Sequence, residues 1–189
     1  ALLVYSVATF QRSKDWRSEL TLWGDAMTKA GNKQRVMINY ASAYLGETGD
    51  HEYVINLMSE NMPKWHIVHP RAFALLGSAY QLAGETKYAI NNYLSAIDCD
   101  KDNPVFRYNI AILYLGAGKP ESSLKQLNRA IELNPDYADV YYLRGVVNRY
   151  LKRNKSAVKD FEKYLSLAPH GENSEDAAEQ LKALNEQSK

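Results

Sequence analysis

The sequence predicts an all-α fold, a solenoid of paired helices that repeat along the chain and end in a capping helix. Two features support this prediction. Residues of matching size recur at one constant step along the chain, and bulky residues recur three and four positions apart, the period of an apolar helical face. A fixed step of about 20–50 residues is typical of repeat architectures, in which each unit buries its apolar face against the next one.

A small residue in the first helix of each unit is the clearest repeating position. Gly77, Ala111 and Gly145 are evenly spaced, and we call the spacing between neighbouring members of this series the repeat step. Because Gly inside a helix costs about 1 kcal/mol relative to Ala, a position that keeps small residues needs an offsetting gain. We expect this gain to come from close packing of the two helices of a unit, where a larger side chain would cost about 1–3 kcal/mol.

Further positions recur at the same repeat step and in the same order. They are Tyr80 and Tyr114, Ala89, Ser123 and Ala157, Tyr93, Leu127 and Phe161, Ala96 and Ala130, and Pro135 and Pro169. Period, size and order agree over three units, which we place at residues 70–103, 104–137 and 138–171. Three matches in phase are much less expected by chance than one.

The middle unit shows how each unit divides into two helices. Gly118 ends the first helix, since Gly adopts the left-handed backbone of a helix terminus without steric cost. Pro120 suits the first turn of the second helix, and Pro135 stops it. A tight turn between two helices of similar length predicts that they pack antiparallel.

The pattern weakens toward both ends of the chain. Residues 34–69 predict a degenerate unit, and residues 1–33 predict either a degenerate helix pair or the stub of a membrane helix followed by one helix. Residues 172–189 form one amphipathic pattern, which predicts a capping helix with a polar outer face. Asn173 or Ser174 can cap its N-terminus, and Glu175 and Asp176 suit its first turn. We expect this helix to act as a lid without chemistry of its own.

The residues Phe73-x2-Leu76-Gly77-x2-Tyr80, followed by Ala89-x3-Tyr93 and Ala96, resemble the signature of the tetratricopeptide repeat. That repeat is a helix–turn–helix unit of about 34 residues. The resemblance covers at least residues 70–171. It implies a right-handed α-solenoid whose first helices line a concave groove, and in this family such a groove typically holds a peptide or a partner helix. The implied function is therefore a non-catalytic scaffold for protein–protein interaction.

Carrying the family's groove onto this sequence predicts a set of binding residues on the first helices. They are Asn39, Ser42, Arg71, Ser78, Gln81, Tyr108, Asn109, Ile112, Tyr142, Val146, Arg149 and Tyr150. Tyrosines offer rigid aromatic area with a polar tip, and side-chain amides can both donate to and accept from a peptide backbone. The alternative is that the tyrosines only pack between neighbouring first helices.

One branch of the family holds the acidic tails of heat-shock chaperones with a carboxylate clamp of Lys, Asn and Arg. Asn109 fits the middle position of this clamp. Ala74 and Ser78 stand where the preceding unit would supply Lys and Asn, and Asp139 and Leu143 stand where the following unit would supply Lys and Arg. The resemblance therefore does not extend to binding of a chaperone tail in this register.

We find no catalytic or cofactor motif in the sequence and expect neither enzyme activity nor a bound cofactor. His66 and His69 are three apart, but no carboxylate or thiol accompanies them, so we expect no metal site. The net charge of +1 gives no long-range attraction for nucleic acid. A single cysteine, Cys99, cannot form an internal disulfide and leaves the compartment, cytoplasmic or extracytoplasmic, undetermined.

Two further functions remain open at this level. Trp16, Glu19, Leu22 and Trp23 form a W-x2-E-x2-L-W stretch that resembles the junction between the last membrane helix and the repeats of some multi-spanning glycosyltransferases. On that reading the chain is an extracytoplasmic accessory domain, tied to a membrane only through an upstream segment. Self-assembly is the other alternative, because degenerate end units can stack on a second copy of the chain.

Overall fold

A computed structural model describes residues 18–30 and 33–186. These residues form α-helices joined by short turns, with one 3₁₀ turn at Met62–Lys64, so the predicted all-α class is confirmed. The helices are α1 Glu19–Ala30, α2 Gln34–Thr48, α3 His51–Asn61, α4 Pro70–Leu82, α5 Thr86–Cys99, α6 Pro104–Gly116, α7 Pro120–Leu133, α8 Ala138–Tyr150, α9 Asn154–Leu167 and α10 Ser174–Glu186. The choice between a repeat helix and a membrane-helix stub at residues 1–13 lies outside the described residues.

Contacts divide the chain into two compact units, residues 1–92 and 93–189, with the boundary inside α5. In unit 1, α2 packs against α1, α3 and α4. Its core is made of apolar residues spaced three and four apart on α2, α3 and α4, together with Met62: Met37, Ile38, Ala41, Val54, Met58, Met62, Ala72, Leu75, Leu76 and Ala79. None of the described helices combines the length and the apolar character that crossing a bilayer requires.

In unit 2, each helix from α6 to α10 packs against the next one along the chain. The interface of α6 and α7 buries the position of the second helix that carries a small residue in each unit, which is Ser123 here. Ser123 is fully buried there, and its hydroxyl donates a 2.8 Å hydrogen bond to the carbonyl of Ala111. A buried hydroxyl without a partner would cost about 1–3 kcal/mol, so this bond lets Ser stand where the neighbouring units carry Ala.

The interface of α8 and α9 shows why one of the small residues is a glycine. A Cβ atom placed on Gly145 would lie 2.8–3.0 Å from three ring carbons of Phe161. The Phe161 side chain is fully buried, so the ring cannot move aside into solvent. The expectation that a small residue allows two helices to approach closely is thus confirmed at Gly145.

The turn between the helices of a unit recurs in detail at the repeat step. Gly84, Gly118 and Lys152 all have a left-handed backbone, with φ of 76°, 70° and 58°. In each turn the N–H of this residue donates to the carbonyl three residues earlier, and the next N–H donates to the carbonyl five residues earlier, at 2.8–3.1 Å. This pair of bonds is the Schellman motif, and the predicted left-handed turn at Gly118 is confirmed.

A polar network also joins α8 to α9. The Arg144 guanidinium donates to the Asp160 carboxylate at 2.6–3.1 Å, and Asn148 Nδ2 donates to the same carboxylate at 2.8 Å. Asp160 is only 3% exposed, so these donors, in place of water, stabilise its negative charge. Removing one member of such a buried pair typically costs about 3–5 kcal/mol, because the other charge then stays buried and unpaired.

At the start of α10, the Ser174 hydroxyl donates to the carbonyls of Ala168 and Gly171, at 3.0 and 2.6 Å, and so holds the preceding turn. The cap at Asn173 or Ser174 stays a prediction. Glu175 and Asp176 lie in the first turn, as expected. Their negative charges face the positive end of the helix dipole there.

Candidate functional site

The first helices of unit 2 carry a surface that we call the tyrosine face. The repeat step connects its side chains, which belong to α6, α8 and α10. The tyrosine face consists of Tyr108, Ile112, Tyr142, Val146, Arg149, Tyr150, Asp176 and Gln180. Successive rows lie one helical turn apart, since residues separated by four positions share a helix face.

A cavity of about 510 Å³ opens on the tyrosine face between α8 and α10. It is lined by Tyr142, Val146, Arg149, Tyr150, Asp176 and Gln180. Tyr150 is 66% exposed, which is unusual for a large aromatic side chain and leaves most of its ring open to solvent. The cavity therefore joins an exposed aromatic ring to polar groups from two helices.

Hydrogen bonds hold the polar side of this cavity in place. The Tyr142 hydroxyl donates to Asp176 Oδ2 at 2.7 Å, and Gln180 Nε2 donates to Asp176 Oδ1 at 3.1 Å. The Arg149 guanidinium in turn donates to Gln180 Oε1. Because two of these bonds, from Tyr142 and from Arg149, cross from α8 to α10 and the third lies within α10, the polar groups are oriented before any ligand arrives.

The tyrosines of the face both pack and remain accessible. The ring of Tyr108 lies 5.5 Å from that of Tyr137, and the ring of Tyr142 lies 5.4 Å from that of Tyr164, between centroids. Tyr108 and Tyr142 are half-buried, whereas Tyr150 is exposed. The alternative that the tyrosines only pack against neighbouring side chains therefore accounts for part of the surface of Tyr108 and Tyr142, but it does not account for Tyr150.

Burial and nearby carboxylates raise the pKa of two tyrosines on this face. The pKa of Tyr108 rises to about 12, first because burial disfavours the phenolate and then because of the Asp139 charge, with a smaller contribution from Glu172. The pKa of Tyr142 also rises to about 12, through burial and then through its bond to Asp176. No ion pair involves Asp139, Glu172 or Asp176 in residues 18–30 and 33–186.

Unit 1 has a separate cavity of about 310 Å³ between α2 and the start of α4. Two predicted groove residues, Asn39 and Arg71, line it. The remaining lining residues, Gln34, Arg35, Ile38 and His69, were not predicted. His69 caps α4, since its Nδ1 accepts a hydrogen bond from the N–H of Arg71 at 3.2 Å.

The remaining predicted residues are not part of either cavity's lining. Ser42 is exposed on α2, Gln81 is half-buried on α4, and the Ser78 hydroxyl donates to the carbonyl of Ala74 at 3.1 Å. Asn109 and Ile112 are half-buried on α6, and Ile112 packs against the core formed by α6, α7 and α8. The structure thus brings together Tyr142, Val146, Arg149 and Tyr150 in unit 2, and Asn39 with Arg71 in unit 1.

Two residues of the tyrosine face were missed by the sequence analysis, which assigned α10 no chemistry. Asp176 and Gln180 complete the cavity from this helix. A signal for them was present, because they lie one repeat step after Tyr142 and Val146. The capping helix thus occupies the place of a further first helix, and its inner side continues the face.

The described part of the chain shows no grouping of three or more His, Cys, Asp or Glu side chains that could hold a metal ion. His66, which was considered as a ligand together with His69, is exposed. The polar groups around the cavity are suited to hydrogen bonding and charge pairing with a ligand.

Comparison with protein families gives a match to the tetratricopeptide repeat over residues 108–172. Among curated proteins, the rat (Rattus norvegicus) DnaJ homolog subfamily C member 3 is 32% identical over 111 residues, which are 59% of this chain and 22% of the rat protein. The chain therefore spans about a fifth of the length of this relative.

Two solved structures illustrate the similarity in three dimensions. The first repeat domain of Spaghetti (RPAP3), bound to the HSP90 peptide SRMEEVD, matches with a TM-score of 0.59 and 28% identity, covering 62% of this chain and 91% of that domain. MamA matches with a TM-score of 0.69 and 18% identity, covering 79% of this chain and 86% of MamA. The MamA match concerns the fold alone.

Proposed function

The chain belongs to the tetratricopeptide repeat family, and from this premise we propose that it is a non-catalytic scaffold that binds a peptide or a partner helix on the first-helix surface of its repeats. Each of the repeat units proposed for residues 34–171 would carry such a surface of its own, and within unit 2 the helix α10 would extend it. The tyrosine face of unit 2 is the part for which we propose a direct contact with the partner.

The observation that supports this proposal is the cavity beside Tyr150. An exposed aromatic ring next to oriented hydrogen-bonding groups is the composition of an interaction hot spot. The groups that line the cavity come from two helices, α8 and α10. Such a surface can hold an apolar anchor against Tyr150 and Val146 while Gln180 bonds a peptide backbone.

The resemblance to a domain that binds an HSP90 peptide does not extend to the same contacts here. At the positions where the clamp would need Lys and Arg, unit 2 has Asp139, which is half-buried, and Leu143, which is only 9% exposed. A carboxylate near Asp139 would be repelled, and Leu143 has no donor. We therefore propose a partner that differs from an acidic chaperone tail.

Selection of peptides against the full chain tests this function. A phage-displayed library of random short peptides is panned on the immobilised protein, and the affinity of enriched peptides is measured by fluorescence anisotropy. Tyr150→Ala should weaken their binding about tenfold or more, because it removes the exposed anchor ring. Circular dichroism of the variant checks that the fold is kept, and the exposed position of Tyr150 predicts that it is.

Tyr88→Ala is the matched control. Tyr88 is also an exposed tyrosine, 55% accessible, but it lies on the second helix α5 and stacks on Tyr80 at 5.2 Å. Tyr88→Ala should leave the affinity for the enriched peptides unchanged. If no peptide is enriched, or if Tyr150→Ala binds enriched peptides as tightly as the wild type, the proposed role of the tyrosine face is wrong.

A further inference from the structure

We propose that the tyrosine face selects a cationic partner segment, one in which Lys or Arg side chains lie beside the carboxylates of Asp139, Glu172 and Asp176. This inference rests on the proposed function and adds the charge of the partner to it. The partner is a peptide segment of another protein, and its anchor side chain would enter the cavity between α8 and α10.

The charge on the tyrosine face is opposite in sign to the charge of the whole chain, which is +1. The cavity itself is lined by one carboxylate, that of Asp176, and one guanidinium, that of Arg149, and two further carboxylates, those of Asp139 and Glu172, act on Tyr108 of the same face. This local excess of negative charge is the electrostatic complement of a basic segment. Because the three carboxylates have no ion pair in the described residues, their charge is available to a partner.

The geometry of Asp176 allows a cation to approach it. Each of its two oxygens accepts one hydrogen bond, from Tyr142 and from Gln180. A carboxylate oxygen can accept a second bond, so both remain able to receive an N–H from Lys or Arg. The two existing bonds hold the carboxylate at the cavity wall, and less conformational entropy is lost when a cation binds.

The aromatic rings add a second attraction for the same kind of side chain. The Tyr150 ring is largely open, and its face can receive an ammonium or guanidinium group in a cation–π interaction. The aliphatic part of a Lys or Arg side chain can cover Val146 at the same time. Among the residues that line the cavity, an acidic segment would meet one cation, Arg149, whose guanidinium already donates to Gln180.

The test compares three pools of synthetic fluorescent peptides that have equal length and apolar content and carry net positive, zero or negative charge. Each pool is titrated with the full chain at low ionic strength, and the titration is repeated at high ionic strength. We expect the positive pool to bind most tightly and to lose affinity with salt, since screening weakens exposed charge pairs. The double variant Asp139→Asn/Asp176→Asn should weaken its binding about tenfold.

The matched control removes the same amount of charge elsewhere in unit 2. Glu162→Gln/Asp98→Asn changes two exposed carboxylates on the second helices α9 and α5. It should bind the positive pool like the wild type. Equal loss in both double variants would show that only the net charge of the chain matters, and the inference would be overturned.

Amide chemical shifts separate failure of the inference from failure of the proposed function. If the negative or neutral pool binds best and shifts the signals of Tyr142, Val146 and Tyr150, the face is a binding site but its charge preference is wrong. If no pool shifts these signals, the proposed function itself is contradicted. Shifts on this face that are largest with the positive pool, and absent in Asp139→Asn/Asp176→Asn, support both the proposed function and the preference for a cationic segment.

Discussion

Gly145 and Phe161 illustrate how the repeat balances volume between paired positions. Gly145 packs against an aromatic ring, whereas its equivalent in the middle unit, Ala111, is matched in the sequence by the smaller Leu127. The unit that has Ala in place of Gly at the first-helix position thus has a smaller side chain, Leu in place of Phe, at the paired second-helix position. This is expected where cores are packed at crystal-like density and cannot absorb an extra carbon.

We predict that Gly145→Ala destabilises the protein by about 1–3 kcal/mol, although Ala is the better helix former. The new Cβ would press on the fully buried ring of Phe161. Combining it with Phe161→Leu should cost less than the sum of the two single changes, because the pair then resembles Ala111 and Leu127. Denaturant unfolding of the four proteins in this cycle measures the coupling.

The control for this cycle is Gly46→Ala. Gly46 lies near the end of α2, and nothing comes within 4 Å of the position of a new Cβ. The substitution should therefore be neutral or stabilising by up to about 1 kcal/mol. Additive effects at Gly145 and Phe161, or a stabilising Gly145→Ala, would show that close packing is not the reason for the glycine.

At the scale of the element, the turns between the two helices of a unit share one hydrogen-bond pattern, but one of them has no glycine at its left-handed position. Gly84 and Gly118 occupy the left-handed position of two Schellman turns, and Lys152 occupies the third. A left-handed backbone costs an ordinary L-residue about 1–2 kcal/mol, whereas Gly adopts it freely. The hydrogen bonds of the third turn match those of the other two, so the motif forms in spite of this cost.

We predict that Lys152→Gly stabilises the protein by about 0.5–1 kcal/mol, the relief of backbone strain less the added freedom of Gly in the unfolded chain. Thermal unfolding followed by circular dichroism measures the change. Lys159→Gly is the control, because Lys159 is exposed inside α9 and its replacement should destabilise by about 1 kcal/mol. A lower melting temperature for Lys152→Gly would contradict the assignment of strain.

At the scale of the whole molecule, tyrosines in both units are held in the neutral form. Burial, as the largest cause, raises the pKa of Tyr40, Tyr108 and Tyr142 from 10.0 to about 12. The pKa values of Tyr44 and Tyr137 are raised as well. Because the folded state favours the protonated phenol, these groups stabilise the protein below pH 10 and lose this contribution as the pH rises toward 12.

We therefore predict that the midpoint of denaturant unfolding is steady from about pH 8 to 9.5 and falls between about pH 10 and 12. The ultraviolet absorbance of tyrosinate, followed in the same range, should show part of the tyrosines titrating late in the folded protein. In Asp176→Asn the late phase should shift to lower pH, since the carboxylate beside Tyr142 is gone. A single titration at the ordinary tyrosine pKa would contradict this prediction.

The sequence by itself determined the helical class, the paired order of the helices and the turns at Gly118 and Pro120. These features depend on local chemistry, namely the spacing of apolar residues, the backbone freedom of Gly and the fixed φ of Pro, so they can be read without knowing any contact. The boundaries of the repeat units follow from the same pattern and remain predictions.

Only the tertiary structure decided which side chains of the first helices meet. Asp176 and Gln180 meet residues of α8 because α10 packs against α9, and Arg144 and Asn148 of α8 reach Asp160 only when α8 and α9 are in register. A hydrogen bond forms over about 3 Å, whereas the repeat step places side chains only to within a helical turn. For that reason the sequence could predict the first-helix surface on which we propose that a partner binds, but not that Asp176 and Gln180 complete it.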